Sequence, residues 1–565
     1  MEHIPSLTRA LCTAQSLVSK LRKTGGHESL DTLYTLEEVL ASTLSTVRSS
    51  INIFSPINQC PNDVLSIIFQ YAVALINESA GEFQWPFSSL RSSPRLIDLT
   101  HVCRRWRVLL LDRPLLWTHI GDHLGSDPLL RAAPTFLERS REASLKLHVR
   151  VMSARQMQTI SHFFESNLSR IEELHVKHTP DLFGLHHSAP ALKVLTMESV
   201  QKSPGQTVFA GDVPLLRALT MQSMSWFPKN PLPSLTHLCI YSKKAPGTNH
   251  GGFQHYITSL LSGLADFLDA CPGLEELIVS DAPLLVVPST SDRPPVTLKH
   301  LRRLSIGEMP IGVLSWFLTH IKSHDELSTR IFGLRCDGPS STLSLPNIPP
   351  LNGSTILHVG TSSPFVLVVT ATDSSAAVRI ECGIPRLRKL HTVPDGILPW
   401  ASWPLSTITE LHVTGSKCVS DFGGLPTLFR ALPSLSVFTY VGGLNRLRFI
   451  LSALTNALSP FATYPLPCPS LATLQICFDS ESYMICEALA EFAATRARAG
   501  CPLRDVVIQC NDPGAIDDGI LPGFNLIKHV QSVQYGQSRG VTPAVRWPAA
   551  ACMGNTHMFW PLWQW

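Results

Sequence analysis

Apolar residues in the first fifty positions recur at spacings of three and four. Leu33, Leu36, Leu40, Leu44 and Val47 therefore share one face of a predicted helix. The stripe suits either a short coiled coil or packing on the protein itself. Fewer than the roughly three or four heptads expected of a coiled coil are visible, which favours the second. A second helical pattern follows in "SPINQCPNDVLSIIFQYAVALI". There Val64, Leu65, Ile68, Phe69 and Ala72 form an apolar face, Pro61 suits the first turn, and Asp63 suits the positive helix end. Residues 77–95 are polar, contain Gly and Pro, and read as a loop. A further helix is predicted in "LTHVCRRWRVLLLDRPLLWTHI". Leu99, Val102, Cys103 and Trp106 lie on its stripe, Arg104, Arg105 and Arg107 fall off it, and Pro114 ends it.

From about residue 145 to 510 the pattern changes. A cassette of the form L-x-x-L-x-apolar, or a near relative, keeps returning. It appears as "IEELHV" (171–176), "LKVLTM" (192–197), "LRALTM" (216–221), "LTHLCI" (235–240), "LEELIV" (274–279) and "LRRLSI" (301–306). It continues as "LRKL" (387–390), "ITELHV" (408–413), "LSVFTY" (435–440), "LATLQI" (471–476) and "LRDVVI" (503–508). Several steps fall in or near the roughly 20–29-residue period of leucine-rich repeats. Longer steps contain amphipathic helices such as "YITSLLSGLADFLDA" and "YMICEALAEFAATRARAG", after which "CPG", "LPS" or "CPS" turns the chain into the next strand. Each unit is then a strand and a helix that bury their apolar faces only against neighbouring units. The Asn that usually follows the repeat strand is missing from most cassettes. Residues 307–386 hold only a weak match, "IFGLRC", and read as irregular repeats or an insertion.

Composition narrows the function. The 565 residues are 44% hydrophobic and 16% charged, and Lys+Arg 46 against Asp+Glu 43 leaves a net charge of +3. That balance argues against polyanion binding, which needs a concentrated excess of Lys and Arg. Fourteen cysteines are scattered with no CxxC pair, so neither a metal site nor a compact disulfide framework is indicated. No apolar run reaches the roughly 18 residues of a membrane span, and "MEHIPSLTRALCTAQSLVSKLRK" lacks a secretory apolar core. The expectation is a protein of the cytoplasm or nucleus with reduced thiols. The sequons at Asn77, Asn167 and Asn352 then read as chance.

The two helical stretches together, "SPINQCPNDVLSIIFQYAV" and "LTHVCRRWRVLLLDRPLLWTHI", resemble the F-box, closest to the F-box proteins abundant in mushroom-forming fungi. The matching positions are Pro61, Val64, Leu65, Ile68, Phe69, Val102, Cys103, Arg104, Trp106, Leu116 and Trp117. Cys60 stands where the family usually has Leu. The resemblance covers roughly residues 55–120 and implies a Skp-family adaptor as partner, and through it a cullin–RING ubiquitin ligase. Trp106 and Trp117 are large, low-entropy anchors of the kind that dominate interfaces, or else core residues of the unit. The arginine cluster reads as a solvated face.

No H-E-x-x-H, Walker, G-x-S-x-G or G-x-G-x-x-G pattern occurs, and the 22 histidines are dispersed. No cofactor is implied. Strand alternation sends Leu174 and Val176 inward and His175 to the opposite, concave face. His237, Glu276, Arg303, Lys389, His391 and His412 occupy equivalent outward places, and are either substrate-facing or merely polar residues on a solvated sheet. On that reading, substitution of Glu276 or His412 is close to neutral for stability. The tail, "VRWPAAACMGNTHMFWPLWQW", either covers the open end of the last repeat or is a poorly ordered extension; Pro and Gly interrupt each apolar run and favour the latter.

The expected architecture is thus an α/β solenoid, an irregular leucine-rich repeat with a parallel sheet plus helices, preceded by a small all-α F-box. Its divisions are 1–50 (helical segment), 51–122 (F-box), 123–540 (solenoid) and 541–565 (tail). The expected function is a non-catalytic substrate adaptor of a Skp–cullin–F-box ligase holding an unknown protein substrate, with no nucleic-acid or membrane partner. The alternative is a leucine-rich scaffold that does not serve ubiquitination.

Overall fold

The computed structural model describes residues 4–24, 29–74, 92–121, 128–150, 163, 165–177, 187–198, 207–223, 226–241, 260–280, 294–309, 311–323, 326–335, 353–363, 366–373, 375–383, 403, 405–414, 425–455, 466–478, 484–510, 524–537 and 547–549. The chain divides into two compact units. One comprises Met1–Arg150 with Arg170–His175, the other Val151–Ser169 with Val176–Trp565.

The first unit is mainly helical: α1 (Ile4–Thr24), α2 (Leu30–Ile53), α3 (Pro56–Gln59), α4 (Asn62–Ala74), α5 (Ser92–Val102) and α6 (Arg104–Leu111). The Ser29 side chain caps α2 by accepting from the Thr32 amide, and Asp31 lies in its first turn. Asp63 lies in the first turn of α4, and Pro61 immediately precedes that helix. A 3-10 turn at Pro114–Trp117 leads into β1 (His119–Gly121). Helix α7 (Pro128–Ser140) then leads to β2 (Leu145–Arg150), which pairs with β1 in parallel.

Two expectations are corrected here. The stretch 99–111 is not one helix, because Cys103 is extended (φ −157°, ψ 166°) and separates α5 from α6. Its sulfur accepts from the Trp106 amide at 3.5 Å, so this residue serves as the cap of α6 instead of joining an unbroken stripe. The loop expected to run to residue 95 gives way to α5 at Ser92; residues 77–91 lie outside the described ones.

The second unit is a large, mostly parallel sheet with helices. Strand β3 (Ile171–Lys177) crosses the division of the chain. β4 (Val194–Glu198), β5 (Ala218–Gln222), β6 (His237–Tyr241) and β7 (Glu276–Ser280) pair in parallel in that order. Beyond β8 (Val296–Leu298), β9 (Arg303–Gly307) continues the sheet next to β7, while β10 (Ile321–Ser323) pairs separately with β8. β11 (Ser328–Arg335) follows beside β9.

The region that reads ambiguously in sequence is then an antiparallel meander. β12 (Ile356–Ser363), β13 (Val366–Thr372) and β14 (Ala377–Gly383) pair antiparallel in succession. The sheet remains continuous, because β11 pairs in parallel with β14, and β12 in parallel with β15 (Glu410–Thr414). β16 (Val437–Val441), β17 (Thr473–Phe478), β18 (Leu503–Cys510) and β19 (Val530–Gln537) extend it in parallel. The "LRKL" cassette lies outside the described residues, as does the tail beyond Ala549.

Several cassettes enter their strands in the same way. Leu235, Leu274, Leu435 and Leu471 each donate a backbone bond to the residue three before, closing a turn on Leu232, Cys271, Leu432 and Cys468. The leucines then align. Leu195, Leu219, Leu238, Leu277 and Leu304 sit in one cross-strand row, and Leu411, Phe438, Leu474 and Val506 in another. All nine are buried, and each contributes roughly 1.5–3 kcal/mol of apolar transfer. Amphipathic helices such as Leu260–Asp269, Leu444–Leu454 and Met484–Arg498 lie between cassettes in the chain and bury Leu264, Leu447 and Leu489.

Truncating a leucine in these rows leaves a cavity that rigid strands fill poorly. Leu277→Ala and Leu411→Ala are each expected to cost about 2–5 kcal/mol by urea denaturation. The exposed Arg217→Ala is expected to stay within about 0.5 kcal/mol, and equal losses at all three positions would contradict the row.

Candidate functional site

Two regions carry the residues that the sequence singles out. The first is the helical bundle around α4. Phe69 and Trp106 meet edge to face, with ring centroids 4.8 Å apart. The Trp106 indole donates to Asn58 Oδ1 at 2.7 Å, and the Arg105 guanidinium donates to the carbonyls of Asn58 and Cys60 (2.6 Å for the second) and to Asn62 Oδ1 at 2.8 Å. Arg105 is therefore a latch on the 58–62 turn, which corrects the reading of the arginine cluster as simply a solvated face. Arg107 donates to the Thr100 carbonyl at 2.9 Å, and Arg113 pairs with the exposed Asp63 at 3.2 Å. Trp117 donates to the Leu110 carbonyl at 2.9 Å and packs on Phe136, with Arg139 over its ring at 4.3 Å.

The predicted docking residues separate into two groups. Leu65, Phe69, Trp106, Leu116 and Trp117 are buried in the unit itself, so they shape a surface without forming it. That corrects the expectation that the two tryptophans are contact anchors. Pro61, Val64 (42% exposed), Ile68 (37%) and Val102 (52%) face outward, as does Arg104, and Cys103 is half-buried. Ile67 and Tyr71 join Val64 and Ile68 among the exposed apolar residues of α4, and Val108 and Leu115 are exposed beyond it. Helix α4 is thus apolar on two faces. Leu65, Phe69 and Val73 turn to the core, while Val64, Ile67, Ile68 and Tyr71 turn to solvent. A helical wheel of "NDVLSIIFQYAVA" carries both faces, and only the core-forming stripe is the obvious one.

The second region is the sheet face opposite the leucine rows. His237, Glu276 and Arg303 are neighbours in register on β6, β7 and β9. Arg303 reaches Glu276 Oε2 at 2.6 Å, and His237 Nε2 lies 3.7 Å from the same oxygen. All three are buried, Glu276 completely. His175 is likewise buried and stacks on His148 at 4.3 Å, beside the Lys146–Glu173 ion pair. The expectation of a solvated outward row is corrected here: strands β6, β7 and β9 are buried on both faces. On β15 alternation holds, and His412 is half-buried, stacked on His358 at 4.5 Å with Glu410 3.6 Å away. Lys389 and His391 lie outside the described residues.

Burial sets the chemistry of this face. It lowers His237 from its usual 6.5 to about 4, with the Arg303 charge adding to the effect, so the imidazole is neutral at pH 7. Burial likewise raises the Cys239 thiol, with Glu276 contributing, which removes the thiolate that a nucleophile needs. Tyr241 is raised too, and donates to Gln222 Oε1 at 3.0 Å. Among the described residues no group of three or more His, Cys, Asp or Glu is placed to hold a metal ion. None of the described helices is long and apolar enough to cross a membrane. The row is a paired polar seam inside the sheet. No protein-family model matches the sequence, and a search of curated proteins found no match.

Removing Glu276 takes away a carboxylate oxygen 2.6 Å from the buried Arg303 guanidinium. Glu276→Ala is expected to cost about 3–5 kcal/mol by chemical denaturation, instead of being neutral. The pH dependence follows from His237. Between pH 6.5 and about 4 the unfolded imidazole binds a proton that the folded one refuses, so stability falls as the pH drops through that window. The melting temperature of His237→Gln is expected to fall less steeply over the same range, and parallel slopes would contradict the assignment.

Proposed function

We propose that this chain is a protein-docking adaptor whose helical unit binds one partner while its sheet holds another. More particularly, it is a substrate-recognition subunit of a Skp–cullin–F-box ubiquitin ligase, with a leucine-rich-repeat array as substrate platform. The observation that carries this reading is the second apolar face of α4. A helix that has already buried Leu65 and Phe69 has no folding need for Val64, Ile67, Ile68 and Tyr71 on its solvent side. The F-box resemblance of residues 55–120 supplies the partner, a Skp-family adaptor. The latch of Arg105 and the Asn58–Trp106 bond support it by fixing the turn before α4, so that the face is rigid before docking.

Substrate is assigned to the β15–β19 part of the sheet, where the outward row is accessible on either side of the buried Thr439. His412, Gln475 and Val507 are half-buried there and Gln534 is exposed, in contrast to the sealed β6–β9 seam. The chain itself performs no transfer in this scheme. It raises the concentration of substrate near the ligase-bound conjugating enzyme.

Val64→Asp combined with Tyr71→Asp places two charges on the exposed face without touching the core. The wild-type chain is expected to co-purify with a Skp-family adaptor and cullin, and the double variant to lose both with an unchanged melting curve. Adaptor captured without cullin by the wild-type chain would point to a scaffold that does not serve ubiquitination. A folded double variant that still captures the adaptor would overturn the docking face.

A further inference from the structure

Helix α2 carries an apolar stripe that its own unit leaves on the surface. The buried Leu36 and the half-buried Val39, Thr43 and Val47 mark the side turned inward. Leu33, Leu40, Leu44 and Ile51 fall on an adjacent strip only about 40° wide at the 3.6-residue helical repeat, and all four are exposed (39%, 37%, 49% and 63%). From Leu33 to Ile51 the strip runs about 27 Å at the helical rise per residue. Sequence periodicity joins Leu33, Leu36, Leu40, Leu44 and Val47 into one stripe; in the structure its two edges go to different places.

The strip has an internal symmetry. Leu33 and Ile51 are equidistant from Ser42 on either side, and so are Leu40 and Leu44. Glu37 and Arg48 are nearly so, both exposed, and both lie on the flank of the strip away from the inward side. A perpendicular two-fold axis at the level of Ser42 therefore places Leu33 against Ile51 and Leu40 against Leu44 of an antiparallel second copy. The same axis keeps each flank on its own side, so Glu37 of either copy meets Arg48 of the other. A parallel pair, related by an axis along the helices, would put the two charged flanks on opposite sides of the seam and leave these charges without each other across it.

We propose that α2 is a homodimerisation helix, pairing antiparallel with α2 of a second copy of this chain. The contact is isologous, so each leucine pair and each Glu37–Arg48 pair occurs twice. Charge pairs flanking an apolar seam set orientation more than strength, and the antiparallel register is the arrangement these charges permit. Two short helices bury modest area, so the dimer is concentration-dependent. Dimerisation through this unit doubles whatever the rest of the chain binds.

Sedimentation and light scattering of the full chain across a wide concentration range test this. The wild type is expected to shift from monomer to dimer mass as concentration rises, and Leu40→Glu to remain monomeric with unchanged melting. Glu37→Arg alone and Arg48→Glu alone are each expected to weaken the dimer, and the combined swap to restore it. All of these substitutions are on the exposed side of a helix, so loss of folding does not mimic the outcome. A wild-type chain that stays monomeric, or a dimer that survives Leu40→Glu, overturns the proposal. A dimer lost in both single variants and not restored by the swap overturns the antiparallel register.

Discussion

A strand of five residues with a leucine and a second apolar side chain on one side cannot bury them by itself, and neither can the helix that precedes it. That constraint organises the large unit. The cassettes at 216, 235, 274, 301, 435 and 471 close the same turn onto the residue three before, donate to the strand before them, and set an apolar residue beside its counterpart on the neighbouring strand. The row from Leu195 to Leu304 exists only as a collective, since every member loses its cover when an adjacent strand is removed. The antiparallel meander shows how strict the requirement is. It interrupts the cassette rhythm, yet β14 presents Ile380 against Ile331, and β12 presents Leu357 against Leu411, so the apolar rows pass through it.

The same need explains why the sheet tolerates charge where it does. Once both faces of β6, β7 and β9 are covered, a polar residue there must be paired or neutral. Glu276 meets Arg303 at 2.6 Å, and His237 sheds its proton. Such a seam adds little net stability relative to apolar packing, but a mispaired register would leave a bare charge in the interior.

In the helical unit, a single guanidinium does the comparable work. Arg105 binds the carbonyls that end α3 and the side chain that begins α4, and Trp106 beside it closes over Phe69. The turn at 58–62 is thereby held from across the bundle, which lets a small core support a helix with apolar residues on its outer side. The exposed faces of α4 and α2 are separate features of one unit, and each is backed by side chains already committed to the interior.

The sequence by itself determined where strands and helices lie. Period-two and period-3.6 patterns are local, and Pro in "CPG", "LPS" and "CPS" punctuates them, so the cassette strands and the helices between them are legible. It also determined which cassette residues share the face of the leucine rows. The extended conformation of Cys103, which caps α6 through its sulfur, was not legible, because the apolar spacing continues across it. Nor were the fates of His237, Glu276 and Arg303 on one hand, and of Val64 and Leu40 on the other. Alternation says which side of a strand or helix a residue occupies, and it carries no information about whether distant chain covers that side. Burial is a property of the assembled fold, so the tertiary structure alone decided which polar residues are sealed in and which apolar ones remain for a partner.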